Sequence, residues 1–93
     1  MINRETKDKY KQLTARELLN KIIWDKNENP KEYKIFYLDR IDDKKHGIDF
    51  SEIKRIEGNF IIVKREDSEE ETEIPIHRIR EIRKENHMVW ERK

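Results

Sequence analysis

Ile74-Pro75-Ile76-His77-Arg78-Ile79-Arg80-Glu81-Ile82 repeats, without a gap, the plan of Ile48-Asp49-Phe50-Ser51-Glu52-Ile53-Lys54-Arg55-Ile56. Three isoleucines coincide, Phe50 stands where Ile76 does, and Lys54 stands where Arg80 does. The apolar spacing within each copy is three. A strand places every second residue on one face, so this spacing is wrong for a strand. It fits a tight 3₁₀ turn, in which residues three apart eclipse each other, joining two extended pieces. The competing reading is a chance match in a chain with 14 isoleucines.

The surroundings of the two copies are also alike. Tyr33-Lys34-Ile35-Phe36-Tyr37-Leu38-Asp39-Arg40, rich in aromatic and β-branched types, reads as a strand before the first copy. The polar loop Asp42-Asp43-Lys44-Lys45-His46-Gly47 separates them. Before the second copy stand the strand Phe60-Ile61-Ile62-Val63-Lys64-Arg65, opened by the turn signal Gly58-Asn59, and an acidic loop. Pro75 cannot donate to a ladder, so Glu73 to Ile76 belongs at an edge or a strand end. A last hairpin runs from Ile79 to Lys84, turns at Glu85-Asn86 and returns from Met88 to Arg92.

One helix precedes all of this. Thr14-Ala15-Arg16-Glu17 fits a capping box, and Leu13 with Leu18 fits a hydrophobic staple. Ala15, Leu18, Leu19, Ile22 and Ile23 carry the amphipathic spacing, which predicts a helix over about residues 15–24, ended by Asn27, Asn29 and Pro30. Residues 1–12 are polar and without period and read as a mobile tail, with Tyr10 a candidate to dock; residues 13–93 read as a single domain. The expected fold is α+β: one N-terminal amphipathic helix packed on a curved antiparallel β-sheet or small β-barrel, built from two similar strand–turn–strand units, with a final strand closing the sheet.

Composition narrows the function. Among 93 residues, 46% are charged and 33% hydrophobic, yet the formal net charge is only +1. High charge with few apolar residues is the signature of disorder, but the charges nearly cancel and the apolar residues fall in patterned runs. Abundant Lys, Glu and Ile with a single Ala resembles a hyperthermophile composition. No apolar run is long enough to span a membrane, the first residues lack a signal-peptide pattern, and there is no Cys. A cytoplasmic protein without a cofactor is expected. Coating a long nucleic acid calls for a clear basic excess, because neutralised phosphates supply most non-specific affinity. Here the bias is local: residues 66–73 carry six acids and no base, and residues 76–93 carry six bases and three acids.

The two copies differ where it matters. Ser51-Glu52 in one stands where the other has His77-Arg78, and both pairs should lie on the outer side of their turns. An imidazole and a guanidinium on a rigid turn can bind phosphate, Arg through its planar fork; an exposed turn paired to the acidic run is the plain alternative. Tyr37, Asp39 and Arg40 at a strand end offer an aromatic ring beside charges, which suits a nucleotide, or else form a core Tyr with a surface ion pair. Trp24 more readily caps the core at the helix end, and Trp90 reads as core. The three histidines, His46, His77 and His87, fit no familiar metal spacing, and the acids fit no calcium loop, so no metal site is expected. A two-histidine phosphoesterase would need His46 to face His77.

Leu18-Leu19-Asn20-Lys21-Ile22-Ile23-Trp24-Asp25, Ile35-Phe36-Tyr37-Leu38-Asp39-Arg40, Phe50-Ser51-Glu52-Ile53, the stretch Ile74 to Ile82 and Val89-Trp90-Glu91-Arg92 together resemble a family of small, mostly archaeal proteins described as an RNA cyclic-group end recognition domain. The resemblance spans about residues 13–92, and Ile-Pro-Ile-His-Arg-Ile is its strongest piece. It implies a non-catalytic module that binds RNA ends bearing a 2′,3′-cyclic phosphate or related group, beside RNA ligases or 2H phosphoesterases, in repair or processing. It also implies binding roles for Trp24, Asp25, Tyr37, Asp39, Arg40, His77 and Arg78. Lys84-Glu85-Asn86-His87 departs from the family, where many relatives have a Gly-containing turn. A phosphoesterase or nuclease acting on such ends, and a protein-interaction module, are the alternatives.

Overall fold

Both copies of the repeat form the corner expected of them. The computed structural model describes Tyr10 and residues 12–92. In it Phe50–Glu52 and Ile76–Arg78 are single 3₁₀ turns, closed by the N–H of Ile53 on the Phe50 carbonyl and the N–H of Ile79 on the Ile76 carbonyl. Flanking backbone agrees as well: φ and ψ are −74° and 139° at Asp49 against −61° and 136° at Pro75. Phe50 and Ile76 are buried, while Ser51 and His77 are exposed.

Each corner carries the chain from one sheet to another. The strands are β1 (Tyr33–Leu38), β2 (Lys45–Asp49), β3 (Ile53–Glu57), β4 (Phe60–Val63), β5 (Thr72–Pro75), β6 (Ile79–Lys84) and β7 (His87–Glu91). One antiparallel sheet has the order β2-β1-β6-β7 and the other β3-β4-β5. The first corner links β2 to β3 and the second links β5 to β6. The fold is therefore α+β with two antiparallel sheets. The barrel alternative, and a last strand that closes the sheet, are corrected: among the described residues β7 pairs only with β6 and the sheets are not joined into one ladder. The corners turn the chain out of one ladder before it enters the next, so the strands on either side of a corner never pair with each other.

The polar loop expected over residues 42–47 is shorter, because Lys45, His46 and Gly47 belong to β2. These residues carry no apolar alternation; pairing with β1 (Phe36 opposite Gly47, Tyr37 opposite His46) makes them a strand. Gly47 is needed there, since a Cβ would stand 2.9 Å from the Phe36 ring. The strands expected over 33–40 and 60–65 end at Leu38 and Val63.

Helix α1 (Ala15–Trp24) has its capping box: the Glu17 N–H donates to Thr14 Oγ1 at 3.1 Å and the Thr14 N–H to Glu17 Oε1 at 2.8 Å. Ala15, Leu18, Leu19 and Ile22 are buried in one core with Ile35, Ile61, Ile79, Ile82 and Val89. Trp90 joins that core at 7% exposure, its indole N–H donating to the Leu13 carbonyl at 2.7 Å. Tyr10 docks: it is buried and its hydroxyl donates to Glu28 at 2.8 Å. The rest of the tail reading falls on residues 1–9 and 11, outside the described residues. Glu28 also accepts from the Tyr33 hydroxyl at 2.6 Å. Burial pushes the Glu28 carboxyl up, but the two hydroxyls and Lys84 together outweigh it, and the carboxyl lies below its ordinary range.

Candidate functional site

The end of β1 and the second corner meet at one cleft. Tyr37 pairs with Ile79 across β1 and β6, immediately after the turn that carries His77 and Arg78. Because β1 ends at Leu38, Asp39 and Arg40 bend away from strand alternation, and both reach the same cleft. Tyr37, Asp39, Arg40, His77 and Arg78 all line this open space of about 570 Å³. Such a volume is within the usual range for small-ligand sites.

The backbone around the cleft is braced. Asp39 Oδ1 accepts from the N–H groups of Ile41 at 2.7 Å and Asp42 at 3.4 Å, and the Asp39 N–H donates to the Lys44 carbonyl at 2.8 Å. Asp39 thus shapes the loop that presents Arg40. The Ile76 N–H donates to the Asn59 carbonyl at 2.8 Å. Arg92 donates to the Ile79 carbonyl at 2.9 Å and the Ile76 carbonyl at 3.1 Å, so its guanidinium spans the turn from inside. Burial pushes the Arg92 pKa down, with Arg80 acting the same way.

The two guanidiniums that line the cleft, Arg40 and Arg78, are free among the described residues. Among the described residues Arg40, Arg65, Arg78 and Arg80 make no side-chain hydrogen bond or ion pair, whereas Arg16, Arg55, Arg83 and Arg92 hold carboxylate or carbonyl oxygens. The acidic run makes no ion pair with Arg78 among the described residues, although its Glu73 lines the same cleft; its Glu71 takes Arg55, at 3.0 Å. Tyr37 stacks on His46 with ring centroids 5.9 Å apart. Burial pushes the Tyr37 phenol up, Asp39 adds to this, and Arg65 opposes it.

Two apolar residues of the cleft lay outside the sequence reading. Ile41 is 95% exposed and Phe60 39%, and both line the cleft beside Arg40, His77 and Arg78. Phe60 opens β4 directly after the Gly58-Asn59 turn and is exposed, whereas Ile61, Ile62 and Val63 behind it are all buried, so strand alternation gives no signal for it.

Trp24 and Asp25 are not among the residues lining this cleft. Trp24 is 78% exposed, so its reading as a core cap is corrected; at the helical period it falls off the stripe of Leu18, Leu19 and Ile22. Asp25 caps the helix end, its carboxylate meeting Lys21 at 2.9 Å and the Asn27 N–H at 2.9 Å. His46 does not line the cleft with His77, so the paired imidazoles of a two-histidine phosphoesterase are not assembled there. His46 lies instead with Asp39 and Asp42, their potential metal-donor atoms all within 4.8 Å of one another, a grouping that histidine spacing alone did not suggest. His46 Nε2 and Asp42 Oδ2 are 2.8 Å apart, and the Lys44 N–H, then His46, hold the Asp42 carboxyl below its usual range. No helix among the described residues is long and apolar enough to cross a membrane.

Residues 12–92 match the family model described as the MJ1316 RNA cyclic group end recognition domain. A UPF0248 protein of Saccharolobus islandicus (strain L.S.2.15) is 32% identical over 83 residues, covering 86% of this chain and 100% of the relative. A UPF0248 protein of Metallosphaera sedula is 30% identical over 80 residues, covering 86% and 94%. One of Methanococcus vannielii is 38% identical over 69 residues, covering 73% and 76%. No solved structure matches the chain significantly. The chain belongs to the MJ1316 RNA cyclic group end recognition domain family, and UPF0248 proteins of archaea are its relatives.

Proposed function

We propose that this member of the family binds phosphorylated RNA 3′ ends, the 2′,3′-cyclic phosphate foremost, in the cleft between the end of β1 and the Ile76–Arg78 turn, and that it binds without cleaving. The supporting observation is the convergence there of two unpaired guanidiniums, Arg40 and Arg78, with the His77 imidazole, on a chain of net charge +1. Arg78 grips the terminal phosphate through its planar fork, His77 donates a hydrogen bond, and Arg40 adds charge. Phe60 and Tyr37 supply ring surface for the terminal base, because unpaired RNA ends are held by stacking. Asp39 acts by positioning Arg40.

A cyclic phosphate carries one negative charge spread over two free oxygens, which a bidentate guanidinium matches without an added metal. A module of this kind serves an RNA ligase or a 2H phosphoesterase by delivering the damaged end. The test is competition among matched oligonucleotides with 3′-hydroxyl, 3′-phosphate and 2′,3′-cyclic phosphate ends. The cyclic end should bind tightest and be recovered intact. Equal binding of the 3′-hydroxyl end would overturn end recognition, and conversion of the cyclic end to a monoester would replace the binder with an enzyme.

A further inference from the structure

The cleft does not stop at Tyr37. A second open space, about 420 Å³, shares Tyr37, Thr72 and Ile74 with the first and leads on to Arg65. It exists because the two sheets are not joined: Ile48 of β2, Val63 of β4 and Ile74 of β5 form an apolar part of its lining, and no ladder crosses between them. Arg65 is exposed and has no side-chain partner among the described residues, although six acids follow it within eight residues. Its charge is felt at the Tyr37 phenol, which places it within electrostatic reach of the first cleft.

From Arg65 onward the acids outnumber the cations. A third space of about 620 Å³ shares Ile48, Arg65 and Asp67 with the second, and Asp49, Glu52, Glu66 and Asp67 line it against only Lys34 and Arg65. Four carboxylates against two cations repel a phosphodiester. Asp67 and Glu70 line the second space as well, so a phosphate there is held only by direct contact with Arg65, and a second phosphate finds no cation.

We infer that Arg65 holds the 5′-phosphate of the terminal nucleotide whose cyclic phosphate sits at His77 and Arg78, so that the site grips one nucleotide by both of its phosphates and takes no hold on the strand that leads away from it, which meets only the acids beyond. This rests on the end-binding reading above and adds to it a ruler: the substrate class is a frayed single nucleotide at an RNA terminus, not a tract.

The probes are adenosine 2′,3′-cyclic phosphate, the same compound with a 5′-phosphate, and single-stranded oligoadenylates of two, three and five nucleotides ending in the cyclic group. Adding the 5′-phosphate should tighten binding roughly ten- to a hundredfold, the range of one charge-assisted contact. Lengthening to five nucleotides should change affinity less than about threefold, because no further phosphate finds a cation. Arg65→Gln should erase the step given by the 5′-phosphate and leave the affinity for adenosine 2′,3′-cyclic phosphate unchanged. Affinity that climbs steadily with length, or a 5′-phosphate that adds nothing, overturns the inference while end recognition stands. If the cyclic group itself confers no binding on any probe, end recognition fails first and the inference with it. The ligand series on the unaltered protein decides the matter even if the variant folds poorly.

Discussion

Arg92 donates its guanidinium Nε–H to the carbonyl of Ile79 at 2.9 Å and reaches the Ile76 carbonyl with Nη2 at 3.1 Å, so a residue after the last strand braces the turn that displays His77 and Arg78. Its guanidinium also lies 5.2 Å from the Trp90 ring centroid. Arg92→Ala should lower stability by about 1.5–3 kcal/mol, the usual loss for hydrogen bonds to a charged group. It should also weaken binding of a phosphorylated RNA end at temperatures where the variant is folded. Denaturant melts and binding isotherms on the same samples check both; unchanged stability would remove Arg92 as a brace.

Arg78→Lys keeps the charge and loses the fork, so it should weaken binding of a cyclic-phosphate end by one to two decades, about 1.5–3 kcal/mol. His77→Ala should weaken it too without unfolding the protein, because His77 is exposed. Glu52→Ala at the matching place in the first corner should have no effect. Fluorescence anisotropy with a labelled oligonucleotide checks the three. Parent-like binding by both cleft variants would move the site elsewhere.

Binding should depend only modestly on salt. Each phosphate neutralised on a single strand contributes a slope of about −0.7 in log K against log salt, so one to three phosphates give a slope shallower than about −2.5. A titration from low to moderate salt measures it. A steeper slope means a tracked backbone and excludes an end-binder.

Glu81 is the buried charged residue among the described ones, at 4% exposure, and meets Lys45 and Arg83. The Lys45 ammonium, followed by Arg83, outweighs burial and holds its carboxyl below the ordinary carboxylate value. A carboxylate with a lowered folded pKa stabilises the fold above its unfolded pKa, and this contribution is lost as pH falls through the folded value. Melting midpoints should drop in acid, and Glu81→Gln should flatten that dependence while lowering the midpoint at neutral pH. A variant that tracks the parent across the acid range would show that the pair contributes nothing.

Thr14→Ala should cost about 1 kcal/mol, because the hydroxyl satisfies an otherwise unpaired N–H of the first turn. End binding should be untouched. Thermal denaturation checks the first and the anisotropy assay the second.

Sequence reasoning reached the corners because a three-residue apolar spacing has few structural solutions. The same holds for the helix, where Thr14 and Glu17 name their own partners. The second sheet partner of β1 was out of reach. Lys45, His46 and Gly47 have no pattern of their own and are a strand because Phe36 and Tyr37 lie opposite. Separation into two sheets was likewise invisible: local pattern specifies each ladder's faces, not whether the last ladder meets the first. At the candidate site, His77 and Arg78 stood out by contrast with Ser51 and Glu52. Phe60 and Ile41 did not, because exposure of a single apolar residue is decided by its surroundings. The departure at the last hairpin proved local. Glu85 and Asn86 take φ of 49° and 73°, the left-handed pair that a two-residue hairpin turn of this kind demands, so side chains do there what glycine more often does.

The interleaving of the sheets sets an order of events during folding. β3, β4 and β5 are consecutive and need only short loops to pair, so they can assemble early. β1 must wait for β6, with Tyr33 ending opposite Lys84. Closing so long a loop is slow, since its entropy is lost before any contact rewards it. Tyr37 and His77 are joined across that late pairing. A nascent chain on the ribosome therefore has no complete cleft until β6 has emerged, and the proposed end binding has to wait for nearly the whole fold.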